Sequence, residues 1–199
     1  MNNFLNLKTT SKKTCSFFIK KNQGFYTWIE GKVGDLFYLK RGKVILQNFI
    51  ENNRGKFPVY SSQTENNGEL GKINTYDFNG EFITWTTDGA HAGTIFYRNG
   101  KFSITDRCGI VEIKNLKLFD YFWTSKSLAM ISKQYVNNSS ANAKLMIHQL
   151  SDINFNFPCL KEQQKIGQLF YTLDKIVSLY ERKINLFEKL ENISCRICL

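Results

Sequence analysis

A single proline, Pro158, divides this chain into two stretches with different hydrophobic patterns. After it there is no further proline, and apolar residues recur at alternating spacings of three and four, the pattern of a helix with an apolar seam. The pattern predicts a helix over about 161–192, roughly 48 Å long at 1.5 Å per residue. That exceeds what a small domain needs to cover its own core, so we expect a spacer helix that binds a partner. The seam consists of Ile166, Leu169, Leu173, Ile176, Tyr180, Phe187 and Leu190, widened by Phe170, Val177 and Ile184.

The stretch before the proline has the pattern of a β-rich domain. Short runs of branched and aromatic residues alternate with Asn-Gly and Asp-Gly turn signals. The dipeptide Asn99-Gly100 predicts a two-residue hairpin turn, because it tolerates positive φ angles. Residues 119–134 are mildly amphipathic and predict a helix. The expected strands include residues 44–46, 57–60, 82–85, 94–97 and 109–113, with turns at 52–55, 66–68, 79–80, 88–89 and 99–100.

These patterns give an α+β fold class, in which a β-rich domain is followed by a long amphipathic, coiled-coil helix. We expect a basic, mobile leader over residues 1–23, the β-rich domain over 24–157, the helix over 158–192 and a tail over 193–199. Five scattered cysteines suggest no disulfide framework, and Cys195 and Cys198 have zinc-like spacing but no second pair nearby. No run is long and apolar enough to span a membrane and no signal peptide is visible, so the cytoplasm is the expected location.

The charge balance favours an anionic partner. The 27 Lys and Arg against 17 Asp and Glu give a net charge of +10, which suits nucleic acid. The bias towards Lys, Asn, Phe and Ile is also what an AT-rich genome produces without selection for DNA binding. Arg, the better base-reading residue, occurs only six times. Charge alone therefore does not decide the function.

Motifs of cofactor and metal chemistry are missing from the sequence. Each Gly-Lys pair is followed by Val, Phe or Ile, whereas a P-loop needs Ser or Thr to bind magnesium. The two prolines are isolated, which excludes the Asn-Pro-Pro-aromatic motif of amino-methyltransferases. No Gly-x-Gly-x-x-Gly opens a helix. His91 and His148 lack partners at ligand spacing, so we expect surface positions rather than metal ligands.

One catalytic alternative remains open. Glu112 and Lys114 on a predicted strand, with Asp88 or Asp106 upstream, have the outline of a magnesium-dependent nuclease core. The same residues also fit an ordinary half-buried strand whose outer face carries a salt bridge. Magnesium-dependent cleavage by the purified chain distinguishes the two interpretations.

The order of segments resembles the specificity subunit of type I restriction–modification systems. The similarity covers about residues 24–192, and it depends on the order and spacing of several loose motifs. The opening resembles that of a target-recognition domain, the middle its strand–loop–strand units, and the end its spacer helix. The segments are Gly24-Phe25, Trp28, residues 32–37, 55–62, 82–89 and 93–97, then residues 153–158, Leu160, Glu162-Gln163, Lys165-Ile166 and 173–176.

The resemblance implies a non-catalytic DNA-recognition subunit without a cofactor. Such a subunit directs methyltransferase subunits, and a restriction subunit where one exists, to a bipartite site on double-stranded DNA. We expect polar loops to read base edges and basic residues to hold phosphates. A coiled-coil adaptor without a DNA role is the further alternative, and it would show no salt-dependent duplex binding. The expected DNA-binding residues are Lys43, Arg54, Lys56, Ser61, Ser62, Gln63, Asn66 and Lys72, with Thr86, Thr87, His91 and Arg107 as a second cluster.

The chain departs from that family pattern in having one recognition domain and one spacer helix. It is either a half-subunit that pairs with a copy of itself or a truncated product. Antiparallel pairing of two helices would bury the seam and place two recognition domains at opposite ends. Lys183 falls at an interior heptad position, where it weakens the seam and fixes its register. The expected dimer residues are Leu169, Leu173, Ile176, Tyr180, Ile184 and Phe187.

Overall fold

The chain folds into a curled sheet domain from which a long helix emerges. The structure, a computed structural model, describes residues 28–63, 65–138 and 142–197, with side chains of the last helix described as far as residue 189. In chain order the elements are β1 (Ile29–Lys32), α1 (Val33–Leu36), β2 (Phe37–Arg41), α2 (Gln47–Asn52), β3 (Arg54–Tyr60), a 3₁₀ segment (Glu65–Gly68), β4 (Glu69–Ile73), β5 (Phe78–Thr86), β6 (Ile95–Ile104), β7 (Cys108–Ile113), α3 (Tyr121–Ser132), a 3₁₀ turn (Lys133–Tyr135), α4 (Ile147–Ser151), β8 (Asn154–Phe157) and α5 (Leu160–Ile197).

Six strands form one sheet in the order β2-β7-β5-β6-β3-β4. The chain connectivity forces this sheet to curl. β6 pairs Phe102 with Phe78, and β7 pairs Cys108 with Thr86 at the other end of β5. On a flat sheet Ile104 would lie beyond the start of β5. It would then be more than eight residues, roughly 26 Å, from Thr86 measured along the strand direction. The four-residue step from Ile104 to Cys108 reaches at most about 14 Å, so the β5–β6 ribbon must bend back on itself.

The bend coincides with two paired glycines. Gly80 and Gly100 lie opposite each other in β5 and β6, with φ angles of 123° and 105°, a conformation that residues with a Cβ rarely adopt. Beyond the bend, the end of β6 packs against the start of β7. Phe102, Ile104, Cys108 and Ile110 form one buried cluster there.

The main core lies between the sheet and the helices. Phe37 of β2 contacts Phe119 and Phe155 edge to face, with ring centroids 4.9 Å and 5.7 Å away. Trp123 of α3 is buried against Phe155. α3 begins at Tyr121, and the carboxylate of the preceding Asp120 accepts the Trp123 backbone N–H at 2.7 Å and caps the helix. β8 lies immediately before α5 and pairs antiparallel with β1.

The α+β class, the β-rich domain and the long helix are confirmed, but three local predictions are wrong. Residues 44–46 form no strand and instead lead into α2, where Val44 and Leu46 are exposed. Asn99-Gly100 makes no hairpin turn, because both residues lie inside β6, as Asn79-Gly80 does inside β5. The predicted turn at 66–68 is confirmed, and the helix expected over 119–134 spans Tyr121–Ser132.

α5 continues to Ile197, so most of the predicted tail is helical. The predicted leader, residues 1–23, lies outside the described residues, and so do the side chains of Cys195 and Cys198. None of the described helices is both long and apolar enough to cross a membrane.

Candidate nucleic-acid interface

The turn Thr105–Arg107 joins the two loops that the sequence predicts as separate DNA-binding clusters. The Thr105 N–H donates to the Tyr60 carbonyl at 2.9 Å, and the Thr105 hydroxyl donates to Ser61 Oγ at 3.0 Å. On its other side the Thr87 N–H donates to the Arg107 carbonyl at 3.0 Å. The loops over residues 61–68, described except for residue 64, and over residues 86–94 therefore lie on either side of this turn. We call these two loops, the turn and residues 41–43 the recognition rim.

The end of β2 adds two cations to the recognition rim. The Arg41 guanidinium donates to the Asp106 carbonyl at 2.9 Å and lies 4.0 Å from the Asp88 carboxylate. Lys43 pairs with Thr105 in a parallel bridge, and its ammonium lies 2.5 Å from the Asp77 carboxylate. Sequence reasoning missed Arg41, although the basic run Lys40-Arg41-Gly42-Lys43 could have signalled it.

The loop 61–68 keeps its shape through a buried arginine. Asn66, Asn67 and Gly68 have φ angles of 48°, 56° and 82°, and the Arg98 guanidinium donates to the Asn67 carbonyl at 2.5 Å. The guanidinium also lies over the Tyr60 ring at 3.5 Å. Arg98 is only 6% exposed, and its burial lowers the pKa of the guanidinium below its usual value. Sequence reasoning missed it, because no local pattern marks an arginine that will be stacked by distant strands.

Several predicted residues present polar groups on the recognition rim. Asn66, His91, Lys43 and Arg107 are exposed, and Ser62 is half-buried. Gln63 is half-buried, and its amide donates a short hydrogen bond to the Glu69 carbonyl. All six side chains keep at least part of their surface open to solvent, and whether they contact DNA stays a prediction.

Three other predicted residues are enclosed. Ser61 is buried by its bond to Thr105, and the Thr86 and Thr87 side chains are about 1% and 0% exposed. The two threonine hydroxyls make no hydrogen bond within the described part of the chain. In this conformation the three side chains are buried beneath the recognition rim and do not form part of its exposed surface.

Three predicted cations lie away from the recognition rim. Arg54 and Lys56 are at the start of β3, and Lys56 precedes Ser61 by five residues, roughly 16 Å along a strand. Lys72 of β4 lies opposite Pro58 of β3, and its ammonium lies 3.8 Å from the Glu69 carboxylate. Lys101, which the sequence did not predict, belongs with these cations. Its ammonium lies 5.7 Å from the Phe57 ring centroid, and the Lys56 ammonium lies 5.3 Å from the same centroid. We call Arg54, Lys56, Lys72 and Lys101 the basic flank.

The residues of the nuclease alternative are not brought together. Glu112 forms a 3.1 Å ion pair with Lys40 of the neighbouring strand, and Lys114 donates to the carbonyls of Gly34 and Asp35. Asp88 and Asp106 lie at the opposite end of β7, about 13 Å from Glu112 along the strand. Within the described residues no cluster of three His, Cys, Asp or Glu could hold a metal. Glu112 therefore fits the second interpretation of the sequence, an ordinary strand whose outer face carries a salt bridge.

The distal part of α5 exposes its predicted seam. From Tyr171 to Lys189 every residue is exposed, although the seam side chains are apolar. Lys183 lies within this face, with its ammonium 5.8 Å from the Phe187 ring. The exposed fractions along the seam range from 44% to 63%, for Leu169, Leu173, Ile176, Tyr180, Ile184 and Phe187.

Comparison with known proteins defines the class to which this fold and these loops belong. The sequence profile described as Type I restriction modification DNA specificity domain matches residues 8–189. The chain therefore belongs to the family of type I restriction–modification specificity domains.

Individual relatives agree with that assignment. The chain is 43% identical over 145 residues to S.MpnORF285P of Mycoplasma pneumoniae, provisionally named a type I specificity subunit, covering 73% of this chain and 47% of that one. It is 41% identical to the specificity subunit of type I restriction enzyme MpnII from the same organism, covering 73% and 43%. Among solved structures, the S subunit of a type I restriction–modification system from M. genitalium superposes with a TM-score of 0.66 at 16% identity, covering 79% and 41%. The chain spans about half the length of these relatives.

Proposed function

We propose that this chain is the DNA-recognition component of a type I restriction–modification complex. It would direct methyltransferase subunits, and a restriction subunit where one exists, to a double-stranded DNA site without carrying out chemistry itself. The observation that carries the proposal is the recognition rim. Two polar loops far apart in the sequence meet at the turn Thr105–Arg107, with Arg41 and Lys43 beside them.

The proposal assigns different tasks to the two surfaces. Amides, a histidine and a guanidinium on the recognition rim can form paired hydrogen bonds with base edges. Lysines of the basic flank can bind phosphates at any sequence, since an ammonium acts as a point charge. One helical turn of B-DNA is about 34 Å long, so two surfaces roughly 16 Å apart can contact the same site.

We further propose that two copies pair through α5 in antiparallel orientation. The exposed seam supports this, because soluble proteins rarely leave a long apolar stripe in water. Antiparallel pairing is isologous, so each helix would bury the same residues against its partner. The two recognition rims would then face two inverted half-sites of a bipartite sequence.

The test is binding and methylation with the purified full chain. A pool of randomised duplexes should yield an enriched sequence, and its affinity should fall linearly on a logarithmic salt axis. A methyltransferase subunit from the same genome should methylate that sequence only when this chain is added. Absence of both enrichment and salt-dependent binding would refute the DNA-recognition role. Enrichment without stimulated methylation would refute the partner assignment alone.

A further inference from the structure

The root of α5 is attached to the sheet domain by a buried amide. Gln163 is 0% exposed, although glutamine usually lies at the surface. Its side-chain oxygen accepts the Asp120 backbone N–H at 3.0 Å, and its nitrogen donates to the carbonyls of Leu118 and Pro158, both at 2.8 Å. A single side chain thus links the start of α3, the segment before α5 and α5 itself.

The bonding geometry makes Gln163 sensitive to small changes. Three of its four hydrogen-bonding positions are used inside the protein, each with a backbone group, and the bond to the Pro158 carbonyl is fully buried. A buried polar group with all its partners in place fixes one arrangement, because alternatives leave at least one group unsatisfied. Gln163 therefore specifies an orientation as well as a contact.

Two further contacts continue the junction along α5. One turn later Gly167 is buried, and a Cβ placed on it would lie 3.4 Å from Asp120 Oδ1 and 3.5 Å from Trp123 Cβ. Farther along, the Lys126 ammonium lies 2.5 Å from the Asp174 carboxylate. Beyond Asp174 the described side chains are exposed, so about 23 residues, roughly 34 Å of helix, project from the domain.

The domain side of the junction is packed onto the sheet. α3, which carries Asp120, Trp123 and Lys126, packs on β6 through the edge-to-face pair of Phe122 and Tyr97, with ring centroids 5.4 Å apart. β6 also carries Arg98, which holds the loop 61–68. The direction of α5 is thereby fixed relative to the recognition rim through two packed elements.

We infer that Gln163 is a positioning residue that sets the spacing between the two half-sites which a paired assembly recognises. This inference rests on the proposed function. A rotation of each domain by about 10° at the junction moves a point about 20 Å away by roughly 3.5 Å, close to the rise of one base pair. A junction that holds its angle will therefore discriminate between spacers that differ by one base pair, and a loosened junction will not.

The experiment uses the full-length chain and the duplex selected from the randomised pool. Affinities are measured for the selected bipartite duplex, for versions with its spacer lengthened or shortened by one or two base pairs, and for a duplex with a single half-site. Gln163→Met keeps the side-chain length but removes the three hydrogen bonds. Gln164→Met is the matched control, because Gln164 is the exposed neighbour in the same helical turn.

We expect the unmodified chain and Gln164→Met to prefer one spacing over its neighbours by about tenfold or more, since simultaneous engagement depends on geometry. Gln163→Met should reduce that preference to about threefold or less while single half-site affinity changes by less than about twofold. A merely structural role would lower affinity for all duplexes together. An unchanged spacing preference in a Gln163→Met protein that binds the half-site normally would overturn the inference.

The outcomes separate the inference from the function on which it rests. If the unmodified chain binds no half-site, the proposed function fails and the inference fails with it. If it binds half-sites but shows no spacing preference, the DNA-recognition role stands and the inference fails. If Gln163→Met loses half-site binding through misfolding, Gln163→Asn replaces it, because it retains the amide but is shorter by one methylene. A reduced spacing preference in Gln163→Asn supports the inference, and an unchanged preference overturns it.

Discussion

Gly80 and Gly100 face each other across β5 and β6, and both hold positive φ angles in the interior of a strand. A Cβ built on Gly100 would touch nothing within 4 Å, so space does not explain the glycine. Its backbone conformation does, and that conformation coincides with the bend that lets Ile104 return to Cys108. The pair thereby determines whether the turn Thr105–Arg107 reaches both loops of the recognition rim.

The substitution Gly100→Ala should destabilise the domain by about 1–2 kcal/mol through backbone strain alone. Urea unfolding measures the change. Asn79→Ala, at an exposed position of the partner strand, is the control and should stay within about 0.5 kcal/mol. Equal stability of Gly100→Ala and the unmodified chain would show that the bend does not depend on positive φ.

Replacing Arg98 should disorder the loop 61–68. Arg98→Met removes the bond to Asn67 and leaves that carbonyl without its charged donor, so we expect a loss of about 1–3 kcal/mol in the free energy of unfolding. Binding to the selected DNA should weaken more than binding to unrelated duplexes. Lys101→Met, an exposed change in the same strand, is the stability control, and a matching urea midpoint in both variants would contradict this role.

Single substitutions on the two surfaces should have different effects on DNA binding. Gln63→Ala should weaken binding to the selected sequence about tenfold and leave unrelated duplexes unchanged. Lys56→Ala should weaken binding to every duplex and reduce the salt slope by about one. Fluorescence anisotropy titrations over a salt series measure both effects. Lys117→Ala, beyond the far end of β7, is the control, and the assignment fails if neither Gln63→Ala nor Lys56→Ala differs from it.

Pairing through α5 should depend on its seam. Leu173→Asp with Ile176→Asp should convert a dimer into a monomer that keeps a folded sheet domain, because two charges would be buried in an apolar interface. Sedimentation velocity at micromolar concentration measures whether each protein is a monomer or a dimer. The control is Lys175→Asp with Ser178→Asp, which has the same residue spacing on the opposite side of the helix. A monomeric unmodified chain would contradict the dimer and leave α5 to another partner.

The Cys108 thiol should resist alkylation while Cys159 reacts. Burial raises the pKa of Cys108 to about 12 from an ordinary value of 9.0, whereas Cys159 is exposed. Because the folded state favours the neutral thiol, its contribution to stability is complete below about pH 9 and declines as the pH rises towards 12. Peptide mapping after iodoacetamide treatment at pH 8 should find Cys108 modified only in urea. Modification of Cys108 in the folded chain would refute its burial.

Sequence patterns predicted the elements better than their arrangement. Four of the five expected strands and both main helices exist, because period-2 and period-3.6 patterns report which face of an element is buried. The Asn-Gly signal correctly indicated positive φ, but at Gly80 and Gly100 that conformation bends a ribbon instead of closing a hairpin. Local sequence does not distinguish these outcomes, since the difference depends on pairing with a distant strand.

The candidate site was predictable as loops but not as a surface. Ser62, Gln63, Asn66, His91 and Arg107 were proposed from residue type, and the contact of both loops with the turn Thr105–Arg107 depends on the curled sheet. The sequence did not mark Arg98 as part of the site, and it gave Gln163 only within a family motif, because burial of Arg or Gln follows from long-range packing and contradicts their usual preference.

The pairing of β1 with β8 has a consequence for how such chains change over time. Ile29 lies opposite Phe157, so the polypeptide enters and leaves the sheet domain at adjacent points. Folded units with neighbouring ends can be moved into other polypeptides with little disturbance to what flanks them. Recombination at the two borders could therefore exchange the whole sheet domain as a cassette in one genetic event and leave the helix unchanged.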